Sequence, residues 1–379
     1  MTSPIYLDYN ATTPVAPQVL EAMLPFLREE FGNPSSSHAY GMRAADALRK
    51  AREQVAALVN STPEEIIFCG CATEANNLAI LGVARALAGA KRHAVTTAIE
   101  HPSVMGPMSM LRDEGWEVSI VEVDRHGCVD PGKVAAALRP DTALVSVMHA
   151  NNETGSIQPV AEIARLARAR GVLVHTDAAQ SAGKIPVSVE ELGTDLLTLA
   201  GHKFYAPKGV GALYLRSGTP ISPLFAGGGQ ERGLRSGTEN MALIVALGEA
   251  AALARRRLPE LGETLRRLRD RFHELLVRRI PGLELNGHPE HRLPNTLNVS
   301  FPRVPGAALL AAVADDVAAS TGSACHSDDV QASGVLGAMG LSAERAAGAV
   351  RLSLGPGVTE EDVERSADAL AAAWARLSR

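Results

Sequence analysis

The sequence predicts an α/β protein whose central sheet is mostly parallel. Short apolar runs rich in β-branched residues alternate with longer stretches rich in Ala, Leu and Arg. Buried parallel strands are typically continuous apolar runs, and right-handed helical crossovers join them. The predicted strands are residues 66–68, 93–97, 118–121, 143–147, 172–175, 196–199 and 211–215, with helices such as 72–88 and 160–170 between them.

A second, smaller unit is predicted after a long basic helical segment at residues 240–279. Residues 295–301 and 349–354 have the apolar pattern of strands, and residues 360–378 have that of a closing helix. We therefore expect three parts: an N-terminal segment that joins the small unit (1–15), a large domain (16–259) and a small α+β domain (260–379).

The overall composition is that of a soluble globular protein and gives no sign of nucleic-acid binding or of a membrane span. A hydrophobic fraction of 46% and a charged fraction of 21% are ordinary for a soluble domain. The net charge of -5 argues against binding nucleic acid through a broad basic surface. Apolar runs such as 143–148 are too short to span a bilayer, so no membrane partner is expected.

The cysteines favour a reducing compartment. The chain has 4 cysteines, and no basic region followed by an apolar run begins it, so no signal peptide is predicted. A disulfide framework is unexpected in such a long chain without a secretory signal. We therefore expect a cytoplasmic protein.

One lysine and one aspartate carry the most specific chemical signal. Lys203 lies in a Gly-His-Lys loop after the predicted strand 196–199, and Asp177 follows the predicted strand 172–175. Pyridoxal phosphate (PLP) needs a lysine amine that condenses with its aldehyde and a carboxylate that keeps its pyridine nitrogen protonated. Both residues fall where strand carboxyl ends meet helix starts, which is where ligands bind in such sheets. The pair predicts a PLP enzyme.

Two further segments suit an anionic ligand. Thr73 follows the predicted strand 66–68 and opens a helix, so it can reach a phosphate oxygen, although helix capping alone explains it. The Gly-rich run 226–240 permits close backbone approach and contains arginines that can meet anions. A structural loop with paired charges is the alternative for this run.

Two residues that follow strands are weaker candidates. His101 can stack on a cofactor ring and exchange protons, since histidine titrates near neutral pH. An ordinary loop histidine is the alternative. Asn152 lies in an Asn-Asn-Glu-Thr-Gly turn, and turn formation is a sufficient explanation for it.

Cys325 is the candidate nucleophile among the cysteines. It lies in a run of small and polar residues, 320–329, and the adjacent His326 can favour its thiolate. Cys69 and Cys71 end a predicted strand and are explained as small core residues. A single residue separates them, whereas zinc-binding cysteines are usually separated by two, and the sequence has no matching second pair. We therefore expect no metal site, and Cys128 has no chemistry that the sequence assigns.

Nearly the whole chain resembles the cysteine desulfurases, which are PLP enzymes of fold type I in the aminotransferase class V group. Each matching motif is weak alone, but their order along the chain is specific. The motifs are residues 6–14, 33–38, 72–77, 100–102, 149–155, 175–180, 201–203, 235–238 and 322–325.

The resemblance implies a PLP-binding large domain, a small domain that carries the cysteine loop, and a homodimer. It implies that Lys203 condenses with the cofactor and that Asp177 pairs with the pyridine nitrogen. Gln180 would contact the ring hydroxyl, and His101 would stack over the ring. The remaining implied cofactor contacts are Ala72, Thr73, Asn152, His202 and, from the partner subunit, Thr238.

The resemblance also implies how substrate is bound and cleaved. Asn152 and Arg351 would hold the substrate carboxylate, a task suited to a guanidinium, and Asn10 would also contact substrate. Cys325 would attack the sulfur of L-cysteine, which leaves a persulfide on the enzyme and releases alanine. An iron–sulfur scaffold or a thiolation enzyme would then accept the sulfur.

Two departures from the family pattern concern the phosphate end of the site. Many relatives have Thr-Ser-Gly where this chain has residues 69–71 (Cys-Gly-Cys), and serine where it has Ala200. Both changes remove hydroxyl groups and alter the expected phosphate contacts.

Alternatives to a desulfurase remain at this point. Residues 324–328 and 331–333 resemble selenocysteine lyases, which form the nearest alternative. An aminotransferase, another PLP lyase and a non-catalytic sulfur-relay protein of the same fold are less favoured. The sequence does not name the sulfur acceptor.

Overall fold

The computed structural model describes residues 3–321 and 333–379. In this part of the chain the strands are β1 (Ile5–Tyr6), β2 (Ile66–Cys69), β3 (His93–Thr97), β4 (Glu117–Val121), β5 (Thr142–Ser146), β6 (Leu173–Asp177), β7 (Leu196–Ala200), β8 (Gly211–Leu215), β9 (Glu284–Asn286), β10 (Thr296–Ser300), β11 (Val317–Ala318) and β12 (Ala349–Ser353).

The α-helices of the same residues are α1 (Pro17–Arg28), α2 (Ala39–Leu58), α3 (Ala72–Leu87), α4 (Pro102–Asp113), α5 (Pro131–Ala137), α6 (Val160–Arg168), α7 (Val189–Leu192), α8 (Met241–Arg279), α9 (Gly306–Ala312), α10 (Gly334–Ala338), α11 (Ala343–Ala347) and α12 (Glu360–Leu377). Short 3₁₀ turns occur at Pro63–Glu65, Gly201–Lys203 and Gln230–Gly233.

The central sheet has the predicted, mostly parallel form. Its strand order is β2-β8-β7-β6-β5-β3-β4, and only β8 runs antiparallel to its neighbours within this sheet. Strands β2, β3, β5 and β7 are buried along their full length, which explains their continuous apolar sequences. The predicted α/β class is confirmed.

The carboxyl ends of β3, β5, β6 and β7 lie along one edge of this sheet because these strands are parallel. The segments that follow them carry His101, Asn152 and Lys203, and Asp177 is itself the last residue of β6. Strand polarity therefore gathers side chains that are far apart in sequence.

Helix α3 starts at the same edge and comes very close to β8. A Cβ atom on Gly211 would lie 2.7 Å from the carbonyl oxygen of Leu199 and 2.8 Å from the carbonyl carbon of Cys71. Such distances are far inside van der Waals contact, so glycine is required for the helix start to approach the sheet. This close approach fixes the position of the first turn of α3 relative to the carboxyl ends of the strands.

A smaller sheet and the N-terminal segment share a second core. Strands β12, β10 and β9 form an antiparallel sheet, and β1 pairs in parallel with β11. Leu7 packs in the same buried cluster as Leu297, Leu352 and Phe272. The N-terminal segment is therefore built into the packing of the C-terminal part, which fixes the residues that follow it.

Helix α8 contributes to both cores. Leu247 and Ala250 pack in the cluster of the central sheet, whereas Leu268 and Phe272 pack in the cluster of the small sheet. The predicted domain boundary between residues 259 and 260 falls inside this helix, at Pro259, and stays a prediction. Among residues 3–321 and 333–379, no helix is long and apolar enough to cross a membrane.

Candidate active site

A cavity of about 390 Å³ lies at the carboxyl edge of the central sheet. This volume is within the range of small-molecule and cofactor sites. Most of the residues predicted from sequence line it, namely Asn10, Ala72, Thr73, His101, Asn152, Asp177, Gln180, His202, Lys203 and Arg351.

Two predicted residues are not part of this cavity as described. Thr238 lines a separate cavity of about 260 Å³ together with Phe68 and Glu239. Its predicted role was in the partner's site, and that role stays a prediction. Cys325 lies outside the described residues.

Asp177 is a buried acid held by neutral donors. Its side chain is 6% exposed. Oδ2 accepts a hydrogen bond from Asn76 Nδ2 at 2.8 Å, and Oδ1 accepts one from the backbone N–H of Ala179 at 2.9 Å. These donors orient the carboxyl group without a formal positive charge, and this arrangement suits a protonated nitrogen of a ligand in the cavity.

Lys203 ends the 3₁₀ turn that follows β7. Its Nζ donates to the backbone carbonyls of Asn10 at 2.7 Å and Ala11 at 2.8 Å. The N-terminal segment, which is anchored in the second core, therefore determines where the lysine amine lies.

Asn10 connects the N-terminal segment to both sheets. Its Nδ2 donates to the backbone carbonyl of Asn152 at 3.2 Å and to Thr296 Oγ1 of β10 at 2.9 Å. Its own carbonyl accepts from Gln180 Nε2 at 3.0 Å as well as from Lys203. A single buried residue thus positions the predicted substrate and cofactor residues relative to one another, through its side-chain amide and its backbone carbonyl.

Lys184 supports two residues of the cavity wall, and the sequence patterns did not predict it. Its buried Nζ donates to Asn10 Oδ1 at 2.9 Å and to Gln180 Oε1 at 2.7 Å. Burial lowers the pKa of Lys184 well below its usual value, and the positive charges of Lys203 and Arg351 lower it further. Lys184 lies in a turn rather than in a helix, so its spacing from Gln180 gave no sequence signal.

The first turn of α3 forms the predicted phosphate end of the cavity. Ala72 and Thr73 line the cavity, so the orphan N–H groups of the helix start lie beside it. His202 lies nearby, and burial followed by the charge of Lys203 lowers its pKa to about 4. Cys71 and Ala200 also line the cavity, so both departures from the family pattern alter its wall.

Arg351 supplies a buried positive charge from β12. Its guanidinium donates to Asp8 Oδ1 at 2.8 Å, to Ser320 Oγ at 2.9 Å and to the carbonyl of Asn152 at 3.1 Å. Its Nε is buried and has no hydrogen-bond partner among the described residues. A buried guanidinium that lines the cavity fits an anionic group such as a carboxylate.

Glu100 is a buried acid that precedes His101 of the cavity wall, and the sequence patterns assigned it no role. Its Oε1 accepts from Thr97 Oγ1 at 2.6 Å and from the backbone N–H of Met148 at 2.9 Å. It therefore ties the chain leaving β3 to the chain leaving β5, just before His101 and Asn152. Burial raises the pKa of Glu100 to about 8, against the lowering effect of these two hydrogen bonds.

The chain matches the family described as aminotransferase class-V over residues 5–365. A protein named cysteine desulfurase IscS from Dictyoglomus turgidum is 46% identical over 371 residues, which cover 98% of this chain and 94% of that protein. A solved structure titled NifS-like protein superimposes with a TM-score of 0.92 at 40% identity and covers 97% of this chain and 98% of that chain.

A third match carries a ligand in its title. The structure titled SspA in complex with cysteine has a TM-score of 0.83 at 36% identity, and covers 94% of this chain and 99% of that chain. The chain belongs to the aminotransferase class-V family. Within that family, its full-length relatives are the cysteine desulfurases, as the sequence resemblance predicted.

Glu100 generates a prediction about stability and pH. The raised pKa means that the folded state holds a proton that the unfolded chain releases above about pH 4.5. Its contribution to the free energy of unfolding is complete below that pH and is lost as pH rises through about 8. We predict that Glu100→Gln, which keeps the accepting oxygen, is more stable than the parent at pH 9 by roughly 2–5 kcal/mol.

Denaturant unfolding at pH 5 and pH 9 measures this difference. The variant and the parent should differ little at pH 5, where the folded forms of both carry a neutral side chain at this position. Glu114→Gln, at an exposed position just after α4, is the matched control and should show no such pH dependence. Equal loss of stability at pH 9 in the parent and in Glu100→Gln would contradict the assignment.

Proposed function

We propose that the protein is a PLP-dependent cysteine desulfurase that converts L-cysteine to L-alanine and transfers the sulfur to its own Cys325. The observation that carries this proposal is the convergence of Lys203, Asp177 and Arg351 on one cavity. The names of its full-length relatives support the same activity.

The residues of the cavity fit PLP. A lysine amine, a buried carboxylate held by neutral donors and a helix start occupy its wall. Lys203 would hold the cofactor covalently, Asp177 would pair with its ring nitrogen, and Ala72, Thr73 and His202 would hold its phosphate. When bound, PLP supplies an electron sink for negative charge on the substrate carbon next to the amino group.

His101 and Gln180 would complete the ring contacts. Gln180 is oriented by two buried partners, since Oε1 accepts from Lys184 and Nε2 donates to Asn10. A fixed amide presents the same face to the cavity in every molecule, which is the preorganisation that electrostatic catalysis requires. Burial lowers the pKa of His101, which favours a neutral ring at neutral pH.

The substrate carboxylate would bind at Arg351. Asp8 balances part of the charge of this guanidinium, and the guanidinium lines the cavity, where it would meet an anionic group. Asn152 contributes its side chain next to the arginine, and its carbonyl orients both Asn10 and Arg351. Binding of an α-carboxylate here would hold L-cysteine with a fixed orientation.

Sulfur transfer would take place at Cys325, which lies outside the described residues. Its thiolate attacks the substrate sulfur, so an S–S bond forms as the C–S bond breaks. The electron pair of the broken bond stays with carbon, and protonation of that carbon yields alanine. The enzyme persulfide would then give its outer sulfur to a protein thiol of an iron–sulfur scaffold or a thiolation enzyme.

A homodimer would complete the site through Thr238. Within one chain Thr238 lies away from the cavity, in the Gly-rich loop that the sequence analysis assigned to the partner's phosphate site. Exposed Phe31 and Tyr40 stack with ring centroids 5.3 Å apart, and Met42, which follows in the same helix as Tyr40, is exposed as well. Such a surface suits burial against a second copy of the chain. A monomer that is fully active, shown by sedimentation and activity assays, would exclude the homodimer.

The cytoplasmic location stays a prediction.

Lys203 is the first residue to test. We predict that borohydride fixes the cofactor covalently on Lys203 of the purified protein, because this amine lies in the cavity beside Asp177. Peptide mass spectrometry should find no such adduct in Lys203→Ala. Lys208→Ala, at an exposed position on the same loop, is the control and should be labelled like the parent. Labelling of Lys203→Ala at another lysine with parent efficiency would exclude the assignment.

A variant of Cys325 tests both the identity of the nucleophile and the preference between the two substrates. We predict that Cys325→Ala loses alanine formation from L-cysteine but keeps a substantial share of activity on L-selenocysteine, because carbon–selenium bonds are weaker and need less assistance. Cys128→Ala, which alters a half-buried thiol, should keep both activities.

Product analysis separates the alternatives in this experiment. The parent should release alanine, with sulfide under reductant, from L-cysteine. Pyruvate with sulfide would indicate an eliminating lyase, and a keto acid without sulfide would indicate an aminotransferase. A parent inert to L-cysteine but active on L-selenocysteine would favour the selenocysteine lyase.

A further inference from the structure

Asn76 lies between two groups of the site that are otherwise separate. Its Nδ2 donates to Asp177 Oδ2 at 2.8 Å and to Ser103 Oγ at 2.8 Å. The residue is fully buried in α3, whereas Ser103 lies in the first turn of α4 and is also buried. One amide group therefore joins the acid that ends β6 to helix α4, whose N-cap is His101.

The orientation of this amide follows from its partners. A carboxylate accepts hydrogen bonds, so the amide of Asn76 must turn Nδ2 rather than Oδ1 towards Asp177. The same nitrogen faces Ser103, so both of its hydrogens are used. The remaining Oδ1 is buried and has no partner among the described residues, which is the cost of this arrangement.

The hydroxyl of Ser103 is then also fixed. Because its Oγ accepts from Asn76, its own hydrogen is available for His101 Nδ1, which lies 2.8 Å away. The backbone N–H of Ser103 donates to the same Nδ1 at 3.1 Å. Two donors facing one ring nitrogen require that this nitrogen is an acceptor, so the proton of a neutral His101 is on Nε2.

We propose that Asn76 and Ser103 are positioning residues that hold His101 in the Nε2–H tautomer, so that His101 acts in the resting site as a proton donor. The hydrogen-bond chain runs from Asp177 through Asn76 and Ser103 to the imidazole. The catalytic meaning of this proton rests on the proposed function, but the tautomer itself is a property of these four side chains.

The charged groups around His101 shift its pKa in both directions. Burial lowers its pKa most strongly, the negative charge of Asp177 raises it, and the positive charge of Lys203 lowers it. His202 also faces it, and the two imidazoles interact unfavourably when charged. Donation by Ser103 to Nδ1 favours the neutral ring and adds to the lowering.

Nitrogen-15 NMR of histidine-labelled holoenzyme tests this proposal directly. The difference between the parent and His101→Gln identifies the two ring nitrogens of His101. The expected result for the parent at pH 7.5 is a protonated Nε2 and an unprotonated Nδ1. A protonated Nδ1 in the parent would overturn the proposal without any variant, and independently of whether L-cysteine is a substrate.

Variants of Ser103 measure the contribution of the hydroxyl. Ser103→Ala should raise the pKa of His101 by about 0.5–1 unit, because the neutral ring loses one hydrogen-bond donor. Ser103→Thr keeps the hydroxyl and should retain the parent value. The proposal fails if Ser103→Ala leaves the His101 pKa at the parent value. If Ser103→Ala does not fold, the parent tautomer decides alone.

Discussion

The buried carboxyl group of Asp177 is the constraint on which the rest of the site depends. A carboxyl group that is only 6% exposed is costly to bury unless its oxygens are hydrogen-bonded. Asn76 and the backbone of Ala179 supply neutral donors, which orient the acid but leave its charge for a ligand. A protonated ring nitrogen is the partner that we propose for this acid, and the same cavity is lined by the lysine that such a cofactor needs.

The packing of the two sheets gives this acid its surroundings. Parallel strands deliver His101, Asn152 and Lys203 to one edge, but the exact place of the lysine amine depends on the carbonyls of residues 10 and 11. These carbonyls are held by the second core, through Leu7 and the bond from the Asn10 backbone N–H to Ser353 at 3.0 Å. A substitution that disrupts the core of the small sheet should therefore also displace the carbonyls that position the amine of Lys203 in the cavity.

Sequence patterns predicted the strands and most of the cavity lining, because continuous apolar runs identify buried parallel strands and polar residues follow their carboxyl ends. They did not predict Lys184, the raised pKa of Glu100 or the bridge made by Asn76. Those features arise from burial and from amide orientation, which depend on residues distant in sequence. Thr238 illustrates the same limit, since its predicted partner is a second chain.

The most direct measurement is the turnover of Asp177→Asn in its cofactor-bound form. The amide preserves size and can still occupy the same position, but it cannot keep a ring nitrogen protonated. The account predicts that the variant binds PLP, seen by its visible absorption, while alanine formation from L-cysteine falls by about a hundredfold or more. Turnover near that of the parent in a variant carrying full cofactor would contradict it.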